Sequence, residues 1–411
     1  MPKGRRHERH DGMTAWVDAV MPGSGAGQGC RVVGWWESAA AVVVVVGVMG
    51  CSHGPPADFA PNAGLVARIT ELRIRTAPST VCPGGQIQAD YEAVLNDGST
   101  VLFDRRYDKK RPPPLHVVFL RRTSPEAIPQ EDGDWTTTRD PLASVMNGFR
   151  LTAFLIANPA LNTSAAVRPE YSCVPHVFSF SGAAGDQGLP GQDGPDITVR
   201  LRIMRSPFYE RLLVAGIEVG QAPPFFVVAD ADRLPPSDWL IVESRGGRGG
   251  RGTDGTAGQA GAAGAPGCPG GAGAPGGPGG NGGPGTAGGR GGRIAVIGPQ
   301  NEQYLIGLVE GQSVGGEGGP GGRGGKGGAG GAGGAAQLPQ GSPADRRCEA
   351  GKPSADGASG AAGPQGPYGV PGPRAQTLTL PAAEVFGPMA QWNPQLASLL
   401  SYTDGNRRRN D

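Results

Sequence analysis

The sequence predicts a mainly β protein in which an N-terminal β-sandwich precedes a bundle of polyproline-II-like or polyglycine-II-like helices with short β-strands. Short runs rich in Val, Ile, Phe and Tyr, bounded by Pro, Gly, Asn and Asp, recur through residues 65–244 and are typical of an antiparallel β domain. Glycine then occupies every third position of residues 246–293 without exception, and again of residues 315–335. The 411 residues, with 74 Gly and 40 Pro, leave room for two such parts.

These composition changes divide the chain into seven parts. The predicted divisions are a signal peptide (1–50), a tether (51–62), a β-sandwich (63–181), collagen-like triplets (182–196), a β-meander (197–245), a glycine-rich triplet module with a β-hairpin at 294–314 (246–374), and a C-terminal strand, short helix and basic tail (375–411).

The amino terminus has the features of an exported chain. Residues 38–50 form an apolar run that is too short to span a bilayer as a helix but fits the core of a signal peptide. The run ends in Val48, Met49, Gly50 and Cys51, which resembles the bacterial lipobox. That resemblance implies a diacylated Cys51 as the first mature residue, and Ser52 resembles the pattern sorted to the outer membrane. A leader of ordinary length would start at Met13 or Met21.

The remaining cysteines predict disulfide bonds. Cys30 lies in the leader and Cys51 in the lipobox, so four of the six cysteines remain. An even number in an exported chain indicates two disulfides, and four cysteines allow three pairings. We prefer Cys82 with Cys173 inside the apolar region, and Cys268 with Cys348 across the glycine-rich region. Zinc is the less favoured interpretation because these cysteines are far apart in sequence.

The apolar region predicts six to eight strands at the spacing of a sandwich. The turn Asn96-Asp97-Gly98 predicts a hairpin, and residues 69–75, 86–95, 115–120, 148–156 and 176–180 predict strands. The arrangement is immunoglobulin-like in the broad sense, although the buried Trp pattern of antibody domains is missing.

No group of residues predicts catalysis or a bound metal or cofactor. His116 and His176 lie in apolar strand-like runs, and Ser313 completes a formal GxSxG match that polyglycine follows where a helix is required. The acidic clusters at 131–134 and at Asp230, Asp232 and Asp238 lack EF-hand spacing and are interpreted as solvated turns. An envelope hydrolase using His176 and Ser313 is kept as a less favoured alternative.

The charge distribution argues against nucleic acid as a partner. The formal net charge is +1, so the chain as a whole does not attract polyanions. The arginines of the glycine-rich tract have no interleaved aromatic residues on which bases could stack. The basic tail at 407–409 is interpreted as solvated, with contact to phosphate or surface polysaccharide as the alternative.

The glycine triplets allow three structures: a disordered linker, a collagen triple helix and a bundle of extended helices within one chain. A linker needs no register, whereas unbroken triplets indicate that every third residue faces a neighbour too close for a side chain. Many triplets in residues 246–293 and all in 315–335 read GGx, which adds chain entropy and removes the Pro that orders collagen. A Cys268–Cys348 bond also requires folded-back runs, because an extended helix would separate the two by about 250 Å. The bundle is therefore favoured.

The GGx runs resemble those of polyglycine-II bundle proteins, and the lipobox with triplet repeats resembles bacterial collagen-like, glycine-rich lipoproteins. The first resemblance implies an architecture only, and the second says little about activity. We predict a lipid-anchored protein of the outer membrane or cell surface, with a structural or adhesive role and no enzymatic activity. Its expected partners are the membrane, through the N-terminal lipid, and an envelope or surface polymer. A trimeric collagen-like stalk is the alternative.

Overall fold

The computed structural model describes residues 55–56, 58–173, 175–235, 237–341 and 347–410. The predicted signal peptide, Cys51, and the side chains of the basic tail at 407–409 lie outside the described residues. The helices are α1 (Ala63–Val66), α2 (Gly387–Ala390) and α3 (Pro394–Asn410), with 3-10 turns at Val117–Phe119, Pro141–Ser144, Ala231–Arg233 and Gln300–Leu308.

The first β region contains nine strands in two sheets. They are β1 (Ile69–Ala77), β2 (Thr80–Val81), β3 (Gln86–Leu95), β4 (Thr100–Leu102), β5 (Leu120–Thr123), β6 (Ala127–Pro129), β7 (Trp135–Thr137), β8 (Phe149–Leu155) and β9 (Asn158–Pro169). One sheet has the order β1-β3-β7-β6 with β4 on β3, and the other has the order β2-β9-β8-β5.

The two sheets share one hydrophobic core. Alternate residues of β3 and β8 are buried, as expected for strands with one face inward. Trp135 and Phe149 are fully buried in this core, where large aromatic side chains contribute most of the apolar area. The disulfide Cys82–Cys173, with Cα atoms 6.3 Å apart, joins the start of the region to the segment after its last strand, as the sequence analysis preferred.

In the described residues of the second β region, eight strands form two further sheets. They are β10 (Val177–Ser181), β11 (Ile197–Met204), β12 (Leu212–Val219), β13 (Phe225–Asp230), β14 (Leu240–Arg245), β15 (Ile294–Pro299), β16 (Val309–Val314) and β17 (Gln376–Leu380). One sheet has the order β13-β12-β11-β15-β17 and the other has the order β10-β14-β16. The predicted meander is present as the antiparallel strands β11, β12 and β13, whereas β14 lies in the other sheet.

Two sequence predictions about strand placement are wrong. The strand near His176 was assigned to the sandwich, but β10 pairs in parallel with β14 and its Phe178 and Phe180 pack on the second core. The hairpin expected at 294–314 is not formed, because β15 pairs with β11 and β17 while β16 pairs with β14. In both cases a parallel partner distant in sequence replaced a local antiparallel one.

The glycine-rich stretches connect the two sheets of the second region as three out-and-back excursions. We number them segment 1 (182–188), segment 2 (189–196), segment 3 (246–267), segment 4 (270–293), segment 5 (315–335) and segment 6 (351–374). Segments 1, 3 and 5 leave β10, β14 and β16, and segments 2, 4 and 6 return to β11, β15 and β17. Strands β10, β14 and β16 are parallel because each of them leads into an outgoing segment. Strands β11, β15 and β17 are parallel because each of them follows a returning segment.

The C-terminal helices cover the outer face of β12 and β13. Phe386, Met389, Leu396 and Leu399 are buried in a third core with residues of both strands. Arg202 of β11 is 2% exposed and donates through Nη2 to Asp404 of α3 at 2.6 Å. Its Nε and Nη1 atoms are buried without a hydrogen-bond partner among the described residues, so Asp404 is the charge that compensates this guanidinium.

Candidate interaction surface on the glycine-rich segments

The parallel sheets set the register of the glycine-rich segments. In the β14–β16 pair, Arg245 stands opposite Val314, and the next residue, Gly246, donates its N–H to the Val314 carbonyl at 2.9 Å. The same bond then recurs every third residue, from Gly249 to Glu317 at 2.8 Å through to Gly267 and Ala335 at 3.1 Å. Segments 3 and 5 therefore continue the ladder of the strands that precede them.

The other parallel pairs follow the same rule. Segment 1 donates to segment 3 from Gly185 to Arg248 and from Gly188 to Arg251, and segment 4 donates to segment 6 from Gly273 to Lys352 onward. In each case the first glycine of a triplet donates to the carbonyl of a residue that is exposed or nearly so on the neighbour. Three outgoing segments thus form one layer, and three returning segments form another.

Antiparallel hydrogen bonds join the two layers. Segment 4 donates to segment 3, for example from Gly277 to Gln259 at 2.8 Å, and segment 5 donates to segment 4, for example from Gly328 to Gly277 at 2.9 Å. Segment 6 donates back to segment 5 in the same way, as from Gly357 to Gly328 at 2.8 Å. These ladders satisfy backbone groups that would otherwise have to be hydrated.

The first glycine of each triplet in segments 3 to 5 faces the backbone of a neighbour. A Cβ built on Gly276 would lie well under 3.0 Å from the carbonyl of Gly328, and one built on Gly255 would lie equally close to that of Gly280. Real Cβ atoms essentially never approach another atom so closely. The clashing atoms belong to the backbone, which cannot move away as a flexible side chain could. The close approach of the segments is the reason for the three-residue period.

In segments 3 and 5 the second triplet position is glycine where a further segment covers it. In segment 3, Cβ atoms on Gly247 and Gly250 would collide with the carbonyls of Ala183 and Asp186 in segment 1. Beyond the end of segment 1, the same position is held by side chains, beginning with Thr253. Segment 5 lies against segments 3, 4 and 6, and all its triplets read GGx. In segments 3 and 5 a second glycine therefore occurs where at least three other segments lie against the triplet.

Carboxylate and amide side chains complete the ladders between parallel segments. The Oδ1 atom of Asp254 accepts from the backbone N–H of Arg323 at 2.7 Å, and that of Asn281 accepts from Ala361 at 2.9 Å. Asp193 and Asp196 accept from Arg290 and Arg293 in the same way, both at 2.8 Å. These side chains reach backbone donors that no carbonyl satisfies.

Replacing Asp254 by alanine is expected to lower the free energy of unfolding by about 1 kcal/mol, because the N–H of Arg323 loses its acceptor. Asp254→Asn should change it by no more than about 0.5 kcal/mol, since Asn281 makes the equivalent bond with an amide oxygen. Urea denaturation of the three proteins measures the difference. Equal losses in both variants would mean that the carboxylate charge, and its ion pair with Arg251, is the stabilising feature.

Two serines seal the junction between the sheets and the segments. Ser244 of β14 is fully buried, donates its hydroxyl to the carbonyl of Pro195 at 2.7 Å and accepts from the N–H of Gly292 at 3.1 Å. Ser313 of β16, its register partner, donates to the carbonyl of Gly292 at 2.6 Å. Both hydroxyls therefore hold together backbones that enter and leave the glycine-rich region.

The third triplet positions form the outward surface. In segment 5 all of them are exposed: Glu317, Pro320, Arg323, Lys326, Ala329, Ala332 and Ala335. In segment 4 the exposed ones include Pro275, Pro278, Asn281, Pro284, Arg290 and Arg293. Charged side chains thus lie toward the sheets, while the far half of segments 3, 4 and 5 presents small alanine and proline side chains on a surface made largely of backbone.

The disulfide Cys268–Cys348 closes the far end of these segments. Cys268 lies in the turn between segments 3 and 4, and Cys348 precedes segment 6, with Cα atoms 5.2 Å apart. Gly267 and Ala336 also form a bridge at this end. The bond joins residues 80 positions apart within one chain, which is the pairing preferred from the sequence.

The residues considered for catalysis have structural surroundings. Ser313 donates its hydroxyl to the carbonyl of Gly292, and no histidine among the described residues is its hydrogen-bond partner. His176 is exposed at the base of β10. His116 is buried in the first core region, and its Nδ1 accepts from the N–H of Val118 at 3.1 Å, capping a 3-10 turn. Among the described residues, Ser313 and a histidine are not in hydrogen-bonding contact.

The acidic residues considered for calcium act locally. Asp134 pairs with Arg105 at 2.7 Å, Asp230 caps the turn at Asp232, and Asp232 pairs with Arg211 at 2.6 Å. No group of three or more His, Cys, Asp or Glu that could hold a metal ion occurs among the described residues. Within the same described ranges, no helix is long and apolar enough to cross a bilayer.

Burial lowers the pKa of His116, an effect that the nearby Asp104 carboxylate partly opposes. The unfolded chain therefore takes up a proton more readily, and the free energy of unfolding should fall as the pH drops below about 6.5, the ordinary pKa of histidine. His116→Asn keeps an acceptor for the Val118 N–H and should flatten this part of the profile. Denaturation between about pH 5 and pH 8 measures both curves, and parallel curves would contradict the assignment.

Comparison of the chain with known protein families, characterised proteins and solved structures found no match to a family model, a characterised protein or a solved structure. The functional proposal therefore rests on the geometry of the chain's own residues.

Proposed function

We propose that this protein is a lipid-anchored component of the bacterial outer membrane or cell surface, with a structural or adhesive role and no catalysis. In this proposal residues 63–169 are an immunoglobulin-like β-sandwich, and segments 1 to 6 are a two-layered bundle of polyglycine-II-like helices. The observation that carries it is the lateral bonding: every glycine-rich segment donates to or accepts from at least two others of the same chain. Such cross-bonding gives a stiff unit whose surface is mostly backbone.

The adhesive role is supported by the far half of the segments. Alanine and proline side chains there are small and exposed, so a polymer lying along the segments could contact many backbone groups at once. Individually weak contacts of this kind become useful when they are numerous. A surface polysaccharide fits this requirement better than a small ligand. A long polymer can lie along the parallel rows of exposed backbone and small side chains, and it needs no deep cavity to bind.

The adhesive role is tested by changing this face without touching the packed positions. Ala260, Ala263, Ala329 and Ala332 are exposed third-position residues, so their replacement by Asp should leave the ladders intact while adding charge and bulk. Cells carrying the variant should lose retention on purified envelope polysaccharide. A matched variant carries four Asp residues at exposed positions of the first β region (Thr70, Ser99, Thr123 and Asn158). Equal retention of all three strains would reject adhesion through the segments.

The anchor is tested on the membrane fraction. Mass spectrometry should find a diacylglyceryl group on Cys51 as the first residue, and the protein should sediment with outer membranes. Cys51→Ser should abolish both results. A mature chain that begins elsewhere, or that leaves the membrane at high salt, would contradict the anchor.

The trimeric collagen-like stalk remains the second candidate because segments 2 and 6 carry collagen-like triplets, such as GPD in segment 2 and GPQ in segment 6. Sedimentation equilibrium and circular dichroism distinguish the two. We expect sedimentation to give the mass of a single chain. On heating, the circular dichroism signal of the glycine-rich segments should be lost in the same transition as that of the β-sheets. A three-chain mass with a separate collagen-type transition would favour the stalk. An envelope hydrolase is the third candidate, and activity lost in both Ser313→Ala and His176→Ala would support it.

A further inference from the structure

A basic loop extends from the first β region. Arg106, Lys109, Lys110 and Arg111 are all exposed, and no salt bridge involves any of them within the described ranges. The acid inside the loop, Asp108, instead turns its Oδ1 to the backbone N–H of Lys110 at 2.8 Å. The neighbouring Arg105 differs, since it pairs with Asp90 and Asp134. Four unneutralised cations therefore lie within six residues.

The base of this loop is fixed to the β region. Asp104 and His116 form a bridge, in which the N–H of Asp104 donates to Leu115 at 3.0 Å and its carbonyl accepts from Val117 at 2.9 Å. Residues 112–114 are three prolines, whose fixed φ limits the freedom of the returning strand. The loop is held in place at both ends, so its cations keep a defined side of the molecule.

The N-terminal part of the described chain packs against this loop. The ring of Phe59 lies 4.9 Å from that of Tyr107 in the loop and 4.8 Å from that of Phe119 beneath it. Aromatic contacts at these distances are stabilising, so Phe59 fastens the chain to the β region beside the cations. Phe59 follows Cys51 by eight positions, and the fully extended length of this connection is at most about 29 Å.

We propose that the basic loop binds the anionic phospholipid headgroups of the membrane that holds the anchor. This inference rests on the proposed lipid anchor for its geometry, because the short connection keeps the loop at the membrane surface. Each Lys or Arg near an anionic surface contributes favourable electrostatic energy that falls off within a Debye length. The loop would orient the first β region against the bilayer. It would thereby also set the orientation in which the glycine-rich segments meet the proposed surface polymer.

The test uses the full chain carrying Cys51→Ser, which cannot be acylated, so that its result does not depend on the anchor. Binding is measured by flotation with vesicles of phosphatidylglycerol and phosphatidylcholine, and with vesicles of phosphatidylcholine alone. The loop variant replaces Arg106, Lys109, Lys110 and Arg111 by Gln. The matched control replaces Arg248, Arg290, Arg323 and Lys326, four exposed cations of the glycine-rich segments, by Gln with the same change of net charge.

We expect binding to the anionic vesicles to fall by about a hundredfold in the loop variant at low salt, and much less in the control. Binding to neutral vesicles should be equal for all three proteins. Equal losses in loop variant and control, or wild-type binding that ignores the anionic lipid, would overturn the proposal. Loop-dependent binding without an acyl group on native Cys51 would refute the anchor while supporting the loop.

Discussion

Replacing Gly276 by alanine is expected to lower the free energy of unfolding by about 3 kcal/mol. The new Cβ would lie well under 3.0 Å from the carbonyl oxygen of Gly328, with the N–H of Gly357 behind it. Both are backbone atoms held in ladders of their own, so segments 4, 5 and 6 would have to separate. Urea denaturation followed by far-ultraviolet circular dichroism measures the loss.

The adjacent Gly277 provides the matched control. A Cβ there would lie 3.2 Å from the nitrogen of Gln259, a gap that a small shift can relieve, and Ala274 already occupies the equivalent position one triplet earlier. Gly277→Ala should therefore change the free energy of unfolding by less than about 1 kcal/mol, since the loss of chain entropy in the unfolded state partly offsets the crowding. Equal effects at Gly276 and Gly277 would reject the packing described for these segments.

Replacing Asp404 by alanine is expected to lower the free energy of unfolding by about 3 to 5 kcal/mol. Arg202 is 2% exposed, and its one hydrogen bond among the described residues goes to this carboxylate. Without it, a guanidinium remains charged and uncompensated between β11 and α3. Thermal denaturation measures the loss, and the detachment of α3 should expose Phe386 and Met389 to a hydrophobic dye.

A second substitution separates the charge from the helix contact. Arg202→Met fills a similar volume without a charge, and replacing a buried ion pair in this way is often neutral or stabilising. The double variant Arg202→Met with Asp404→Ala should therefore recover most of the stability that Asp404→Ala loses. Failure to recover would show that Asp404 acts through the helix itself and that the burial of the charge is unimportant.

The sequence predicted the parts of the fold that depend on local or periodic signals. The alternation in residues 86–95 identifies β3, and the triplet period identifies the segments. The even number of cysteines left outside the predicted leader and lipobox led to the two disulfides. The distribution of GGx triplets also carried information on coverage. It could have placed segment 1 beside Gly247 and Gly250, because glycine at the second position has no other use there.

The pairing of strands that are distant in sequence could not be predicted from local sequence patterns. A strand at 177–181 and a turn after 299 are compatible with antiparallel hairpins, which are the common choice for neighbours in sequence. Parallel partners separated by an excursion of many residues leave no spacing signal in the strands themselves. The hairpin at 294–314 was therefore predicted where the chain crosses between two sheets.

Much of the candidate surface was also missed. Asp254 and Asn281 are ordinary third-position residues in sequence, and their role depends on which segment is adjacent. Ser313 drew notice through a chance GxSxG match, whereas Ser244, which makes the same kind of junction contact, drew none. The one available signal was that each serine lies two positions before the first glycine of a glycine-rich run.

The out-and-back arrangement has a consequence for how such a protein can change length in evolution. Segments 1 and 2 extend over only two triplets of segment 3, while the other four reach the closing disulfide, so excursions of different length coexist on one scaffold. Gain or loss of a whole triplet preserves every donor and acceptor, whereas gain or loss of one or two residues shifts side chains into the closed positions. Insertions and deletions in these segments should therefore occur in threes, each altering the reach by about 9 Å.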